Sequence, residues 1–294
     1  NETDDWYPQA RVYFCKGRIY SQMKEFNLSE KYFKKSIELG NENGDDYIAA
    51  YIGNSLGTLY NEFGKTDKAL ELYRNFLNKS IERGYILNAA SAYNNIGVLF
   101  FENLRHLEFY ADSALKYYHK VEEILDTVDR KSGLITKIYD NLAITYAAKN
   151  DSLNSSKYLQ KALDINHIDS PDKAITLLNA SSVYFEFSDF DKAKDYYLQS
   201  VKLGEKLEMH DFLVNAKMVY IKSLYEKNKL SLDVAAKMLR AVYNEAEKPV
   251  TTLTKNIVLR TITDMYEENG MKPKYIDLKS NFDTLKTESF KNNL

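Results

Sequence analysis

Leu56-Gly57-Thr58-Leu59-Tyr60, followed by Ala69-Leu70-Glu71-Leu72-Tyr73, is the stretch from which the rest of the chain can be read. From Tyr47 to Phe63 the apolar or small residues Ala49, Ile52, Gly53, Leu56, Leu59, Tyr60 and Phe63 recur at three- and four-residue steps, the spacing of one helical face. Gly64 ends that helix. Thr66 is placed as the N-cap of a second, whose stripe of Ala69, Leu70, Tyr73, Phe76, Leu77 and Ile81 runs to Gly84. The stretch reads as a helical hairpin in which Gly57 leaves a gap and Tyr60 and Tyr73 supply the bulk that fills it.

The same signature returns about every 40 residues. A tiny residue, two further positions and an aromatic occur as Gly17-Arg18-Ile19-Tyr20, Gly57-Thr58-Leu59-Tyr60, Gly97-Val98-Leu99-Phe100, Ala143-Ile144-Thr145-Tyr146 and Ser181-Ser182-Val183-Tyr184, with looser echoes ending at Tyr225 and Tyr266. Ser29, Ala69, Ser155 and Ala193 stand 12 residues after the small residue, and Phe33, Tyr73, Leu159 and Tyr197 four further on. In the third unit Ala114 lies 17 residues after Gly97, so about five residues are inserted between Phe101 and Asp112. Self-similarity at such a period means supersecondary units that bury their faces against their neighbours. The units fall at about 6–43, 45–83, 85–128, 131–166, 171–207, 211–246 and 250–290. Local signals place the ends: an Asn27/Glu30 capping box, Ser170-Pro171 as N-cap and first helical residue, and Ser231 as a further cap. After Pro249 a helix runs to Asn269-Gly270, and a last amphipathic stretch carries Tyr275, Ile276, Leu278, Phe282 and Leu285.

These residues resemble the tetratricopeptide repeat, which couples Leu-Gly-x-x-Tyr in a first helix to Ala-x-x-x-Phe in a second. The resemblance extends from about residue 10 to 282. It implies an all-α, right-handed superhelical solenoid of about seven helical hairpins, expected to form one array over 1–294. The spacing exceeds the family's repeat of about 34 residues, and the family's closing proline is missing.

Composition fits a folded chain without polyelectrolyte character: 44% hydrophobic, 13% aromatic, and a formal charge of −2 from 40 basic and 42 acidic side chains. A nucleic-acid reader is expected to show a basic excess or a reading module, so direct nucleic-acid binding is not expected. Four Pro, 11 Gly and no low-complexity stretch leave no linker between domains. No run is apolar enough to span a bilayer and no signal peptide opens the chain, yet it begins at Asn1 without an initiator Met, as a processed or excised fragment would. Cys15, the one cysteine, allows no internal disulfide and reads as a small buried hydrophobe.

Catalytic or metal-binding patterns do not emerge. His106, His119, His167 and His210 fall in different units without ligand spacing, and Gly53-x-x-x-Gly57 is a helix-packing pattern, not a phosphate loop. The chain is read as a non-enzyme with no cofactor and no metal. Tyr20, Tyr60, Tyr73, Tyr146, Tyr184 and Tyr197 occupy core positions of the repeat, which assigns them to packing.

Asparagines in the first helices are more informative, because Asn is a mediocre helix former. Asn54, Asn94, Asn95, Asn141 and Asn179, with Asp140, lie just before the small residue or its successor. Each amide either ties one helix to the next or grips the backbone of an extended peptide, since it both donates and accepts. The resemblance implies a concave groove lined by first helices. The same positions in successive units give Arg11, Phe14 and Arg18, then Tyr51, Asn54, Thr58 and Asn61, then Asn94, Asn95, Val98 and Phe101, then Lys137, Asp140, Asn141 and Ile144. Ile175, Leu178 and Phe185 make the fifth unit more apolar. An acidic or C-terminal carboxylate is expected near Arg11 and Arg18, where guanidinium groups can hold it bidentately.

The resemblance narrows to sensor arrays of bacterial signalling proteins, which implies a peptide or protein partner, a possible membrane tether outside this sequence, and an extracytoplasmic (periplasmic) location, with a cytoplasmic one as the alternative. Two other functions remain open: a cytoplasmic scaffold or chaperone-adaptor, and a peptide-controlled regulator of a phosphatase or transcription factor whose effector domain lies elsewhere.

Overall fold

The computed structural model describes residues 6–23, 25–102, 108–126, 133–165, 168–246 and 250–270. Among these residues all regular structure is helical, in thirteen helices. The amphipathic stretch expected at 275–285, with His106, His167 and Pro249, lies outside the described residues. The chain divides into two compact units, Asn1–Lys149 and Asn150–Leu294.

In the first unit α1 (Trp6–Gln22) pairs with α2 (Phe26–Glu42), α3 (Asp46–Glu62) with α4 (Thr66–Glu82), and α5 (Ile86–Glu102) with α6 (Glu108–Leu125), and α7 (Gly133–Ala148) follows. At Gly17, Gly57 and Gly97 the small residue of the motif is where an aromatic of the second helix packs against the first. A Cβ built on Gly17 would come within 2.7 Å of the Phe33 ring, one on Gly57 within 2.8 Å of Tyr73, and one on Gly97 within 2.5 Å of Tyr118. Tyr118 stands four residues after Ala114, so the insertion displaces the partner in sequence and leaves the contact intact. Where the twelfth residue is Ser29 instead of alanine, its buried hydroxyl donates to the Gly17 carbonyl oxygen at 2.8 Å, which removes the penalty of an unpaired polar group.

The motif's own aromatic does something different from filling that gap. Tyr20 stacks on Tyr32 with ring centroids 5.4 Å apart, and Phe100 stacks on Tyr117 at 5.5 Å. The stacking partner is thus the residue before the one that fills the glycine gap, a pairing visible in sequence as Tyr32-Phe33 and Tyr117-Tyr118. Position 72 is a leucine, and Tyr60 instead donates its hydroxyl to Glu30 Oε1 at 2.7 Å, reaching back into the preceding hairpin. Burial works to raise the Glu30 pKa, but the Tyr60 hydroxyl together with Lys34 and Lys65 holds the carboxyl below its ordinary value.

The second unit contains α8 (Ser152–Ile165), α9 (Pro171–Glu186), α10 (Phe190–Lys206), α11 (His210–Glu226), α12 (Leu232–Glu245) and α13 (Thr252–Glu268). Tyr184 stacks on Tyr196 at 5.3 Å, as Tyr20 does on Tyr32, and the Ser200 hydroxyl donates to the Ala174 carbonyl at 2.8 Å, as the Ser36 hydroxyl does to the Ala10 carbonyl at 2.6 Å in the first unit. Leu178 and Phe185 are 6% and 2% exposed, so both belong to its core and not to a groove surface; Ile175 is exposed.

Ser170 accepts from the Lys173 N–H with Pro171 opening α9, and Ser231 caps α12, as the sequence suggests. Two expected caps differ. The residue before α4 is Lys65, with Thr66 already helical, and the residue before α2 is Glu25, with Asn27 inside the first turn; neither Lys65 nor Glu25 forms a side-chain cap. Asp45 and Asp189 do the capping at α3 and α10.

Several helices end in one turn geometry, with a residue in the left-handed region and an N–H reaching five residues back, as Lys65 N does to the Tyr60 carbonyl at 2.8 Å. Gly44, Gly64 and Gly84 hold this position in the first unit, whereas Ser188, Glu208 and Asn228 hold it in the second at φ of 58°, 54° and 56°. A Cβ there costs on the order of 1 kcal/mol. Glu208→Gly is therefore expected to raise stability by about 0.5–1 kcal/mol, read as a higher urea midpoint with an unchanged slope, and an unchanged or lower midpoint would contradict the strain argument.

Candidate functional site

The candidate residues lie on first helices of the first unit. A concavity of about 540 Å³ opens between α1 and α3, lined by Arg11, Phe14 and Arg18 from one side and Tyr47 and Tyr51 from the other. Arg11 and Arg18 are two helical turns apart on α1, both exposed, and neither forms an ion pair with a described residue. Their guanidinium carbons instead sit 5.9 Å from the ring centroids of Tyr7 and Phe14. Stacking against a ring leaves the outward N–H groups of each guanidinium available to an anion. The Phe14 and Tyr51 rings, 6.1 Å apart, close the concavity across the two helices. Cys15 also lines it and is exposed, which corrects its assignment to the core.

One turn beyond Tyr51 begins a chain of amides. Asn95 Nδ2 donates to Asn54 Oδ1 at 2.9 Å, Asn94 Nδ2 to Asn95 Oδ1 at 3.4 Å, and Asn141 Nδ2 to Asn94 Oδ1 at 3.0 Å. Three first helices, α3, α5 and α7, are thereby linked through side chains 41 and 47 residues apart in sequence. All four asparagines are half-buried, so each retains a face toward solvent. At the α3 end the Asn54 amide nitrogen has no partner among the described residues.

Other candidates are committed elsewhere. The Thr58 hydroxyl donates to the Asn54 carbonyl of its own helix at 3.3 Å and accepts from the Tyr73 hydroxyl at 3.3 Å. Burial pushes the Tyr73 phenol up to about 12, so it remains a donor throughout the neutral range. Asn61 donates to the carboxylate of Glu102, another link between α3 and α5. Val98, Phe101 and Ile144 are half-buried and Lys137 is exposed, whereas Asp140 is only 5% exposed and lies inside the unit instead of on an open surface.

The sequence reading did not find Tyr47, whose hydroxyl accepts from Asn88 and whose phenol is pushed up by burial. Its signal is the recurrence of polar and aromatic residues about 41 positions apart, the same interval that joins Asn54 to Asn95 and Asn61 to Glu102. Among the described residues no group of three or more His, Cys, Asp or Glu could hold a metal ion, and no helix is long and apolar enough to cross a membrane.

Residues 8–77 and 134–206 match the tetratricopeptide repeat family. Regulatory protein RapK of Bacillus subtilis (strain 168) is 22% identical over 194 residues, an alignment covering 64% of this chain and 48% of RapK, so the chain spans about half the length of that relative. Among solved structures, a Rap protein complexed with Competence and Sporulation Factor superposes with a TM-score of 0.64 at 13% identity, over 95% of this chain and 75% of that one. The Rap conjugation gene regulator of the plasmid pLS20, in complex with the Phr* peptide, gives a TM-score of 0.62 at 16% identity, over 97% of this chain and 75% of that one. With the glycine clefts, the stacked aromatics and the paired helices, these matches show a tetratricopeptide-repeat fold, with residues 8–77 and 134–206 matching the tetratricopeptide repeat family itself.

Proposed function

We propose that the chain is a non-catalytic module that holds an extended peptide or protein segment against the first helices of residues 1–149, as the sensor or interaction part of a larger bacterial signalling protein in which the repeats of both units serve one array. The observation that carries this reading is the amide chain from Asn54 through Asn95 and Asn94 to Asn141. A carboxamide has two donor hydrogens and two acceptor lone pairs, so an amide that gives one of each to its neighbours keeps one of each for a peptide group. A row of such groups at helix spacing suits an extended backbone, whose N–H and C=O groups must be paired when it leaves water. Arg11 and Arg18 then offer a carboxylate anchor at one end of the row.

A regulator under peptide control, acting on a phosphatase or transcription factor through a domain elsewhere in the protein, is the more specific form of this reading. It is favoured by the likeness to RapK, named a regulatory protein, and to a regulator solved with a peptide bound.

Selection from a library of extended peptides with free C-termini, followed by calorimetry on the best binder, tests the proposal. Arg11→Ala/Arg18→Ala and amidation of the peptide's C-terminus are each expected to weaken binding about tenfold or more, and not additively, because both remove the same contact. A selection that returns no binder, or one whose affinity ignores both changes, would overturn the anchored-peptide reading.

A further inference from the structure

We propose that α4, α5 and α6 carry a second site, separate from the first-helix concavity, that takes an acidic segment of a partner protein. A cavity of about 380 Å³ lies here. Its rim is Arg74 and Asn78 from α4 and Lys116 and Lys120 from α6, and its floor includes Leu77 and Ile96, 8% and 0% exposed. Ring contacts support the wall: Tyr93 and Tyr117, both lining the cavity, have centroids 6.1 Å apart, and Tyr117 is in turn stacked on Phe100.

Charge makes this cavity unusual for a chain with a formal balance of only −2. Three cations meet at its rim and no carboxylate lines it. Lys120 has its own surface partner in Glu123, at 2.6 Å, whereas Arg74 and Lys116 form no ion pair with any described residue. Lys116 and Lys120 stand four apart on one helical face, where like charges oppose helix formation. An anionic ligand lying between them would offset that repulsion.

The combination of an apolar floor and a cationic rim selects the ligand. A leucine or similar side chain can enter over Leu77 and Ile96 while flanking carboxylates meet Arg74 on one helix and Lys116 and Lys120 on the other. A nucleic acid would instead require a basic track reaching past a single cavity, and the near-neutral chain supplies no broad positive field.

The test uses the 294-residue chain and a fluorescein-labelled peptide of sequence Glu-Asp-Leu-Glu-Asp, acetylated and amidated so that it has no terminal carboxylate for Arg11 or Arg18. Saturable binding by fluorescence anisotropy is expected at low salt, weakening as salt rises. Arg74→Glu and Lys116→Glu are each expected to reduce affinity about tenfold or more, and Arg11→Ala/Arg18→Ala to leave it unchanged. Arg74→Gln and Lys116→Gln, at exposed positions, serve as milder variants should a reversal disturb folding. The proposal fails if binding does not saturate, if the rim variants bind like the parent, or if inorganic phosphate at equal concentration displaces the peptide, which would reduce the site to simple anion capture. Because its residues lie outside the first-helix groove, and the Arg11→Ala/Arg18→Ala variant reports any capture of the probe's side-chain carboxylates there, this site can fail while the peptide-groove reading survives, and the reverse.

Discussion

Replacing Tyr118 with alanine is expected to cost about 3–5 kcal/mol of unfolding free energy, enough to threaten the folded state of the first unit. Tyr118 is 1% exposed and rests on the bare Cα of Gly97, where a Cβ would come within 2.5 Å of Cε1 and 2.8 Å of Cδ1. Truncation removes the ring's transfer free energy and leaves a cavity between α5 and α6 that two helices tied by other contacts cannot fully close. The reciprocal change should look different. Gly97→Ala puts a methyl group into occupied space, at about 1–3 kcal/mol for overpacking, partly offset by up to about 1 kcal/mol from alanine's better helix propensity. Its sign should reverse in the Tyr118→Ala background, where the methyl has room and only the propensity gain remains. Urea unfolding of the two single variants and the double variant measures this coupling. Equal Gly97→Ala effects in both backgrounds would mean that the cleft is not what holds these helices together.

That cleft was legible because it depends on residue size at a fixed interval. Gly57, Ala69 and Tyr73 announce it in any one unit, and the insertion before Ala114 shifts the partner without hiding it. Stacking of Tyr20 on Tyr32 was less legible, since an aromatic at a core spacing does not say which neighbour it meets. Gly40 and Gly204 illustrate a signal that went unused: a Cβ on Gly40 would press on the Ala49 backbone at 3.2 Å, and one on Gly204 on Phe212 at 2.9 Å. Small residues therefore recur at the ends of second helices too, where the next hairpin docks. Caps were the least legible feature. Asn27 and Thr66 have good capping chemistry, but the chain enters α2 two residues and α4 one residue earlier than those side chains require. For the candidate site, composition located the asparagines and the arginines, whereas the bonds between them depend on how α3, α5 and α7 align, a tertiary property absent from any single repeat.

Alignment of that kind makes Asn94 the most consequential residue of the amide chain. It accepts from Asn141 and donates to Asn95, so Asn94→Ala breaks two bonds at once and leaves two half-buried amides each short of a partner. At about 0.5–1.5 kcal/mol per bond, the expected loss is about 1–3 kcal/mol. Asn54→Ala breaks one bond, the acceptor end, and removes an amide nitrogen that the protein itself does not use. Its expected stability loss is about 1 kcal/mol or less. Peptide affinity should order the two differently: a groove that clamps backbone through free amide hydrogens loses about tenfold at Asn54, despite that small structural cost. Asn94→Asp adds a further discrimination, because a carboxylate can still accept from Asn141 but cannot donate to Asn95, so it should retain part of the stability lost in Asn94→Ala. Thermal or urea unfolding alongside calorimetry with the selected peptide separates the roles. If affinity merely follows stability across the three variants, the amides are ties between helices, and the groove must hold its ligand by other groups; if Asn54→Ala weakens binding while the fold stays close to parental, the amide chain is a peptide clamp.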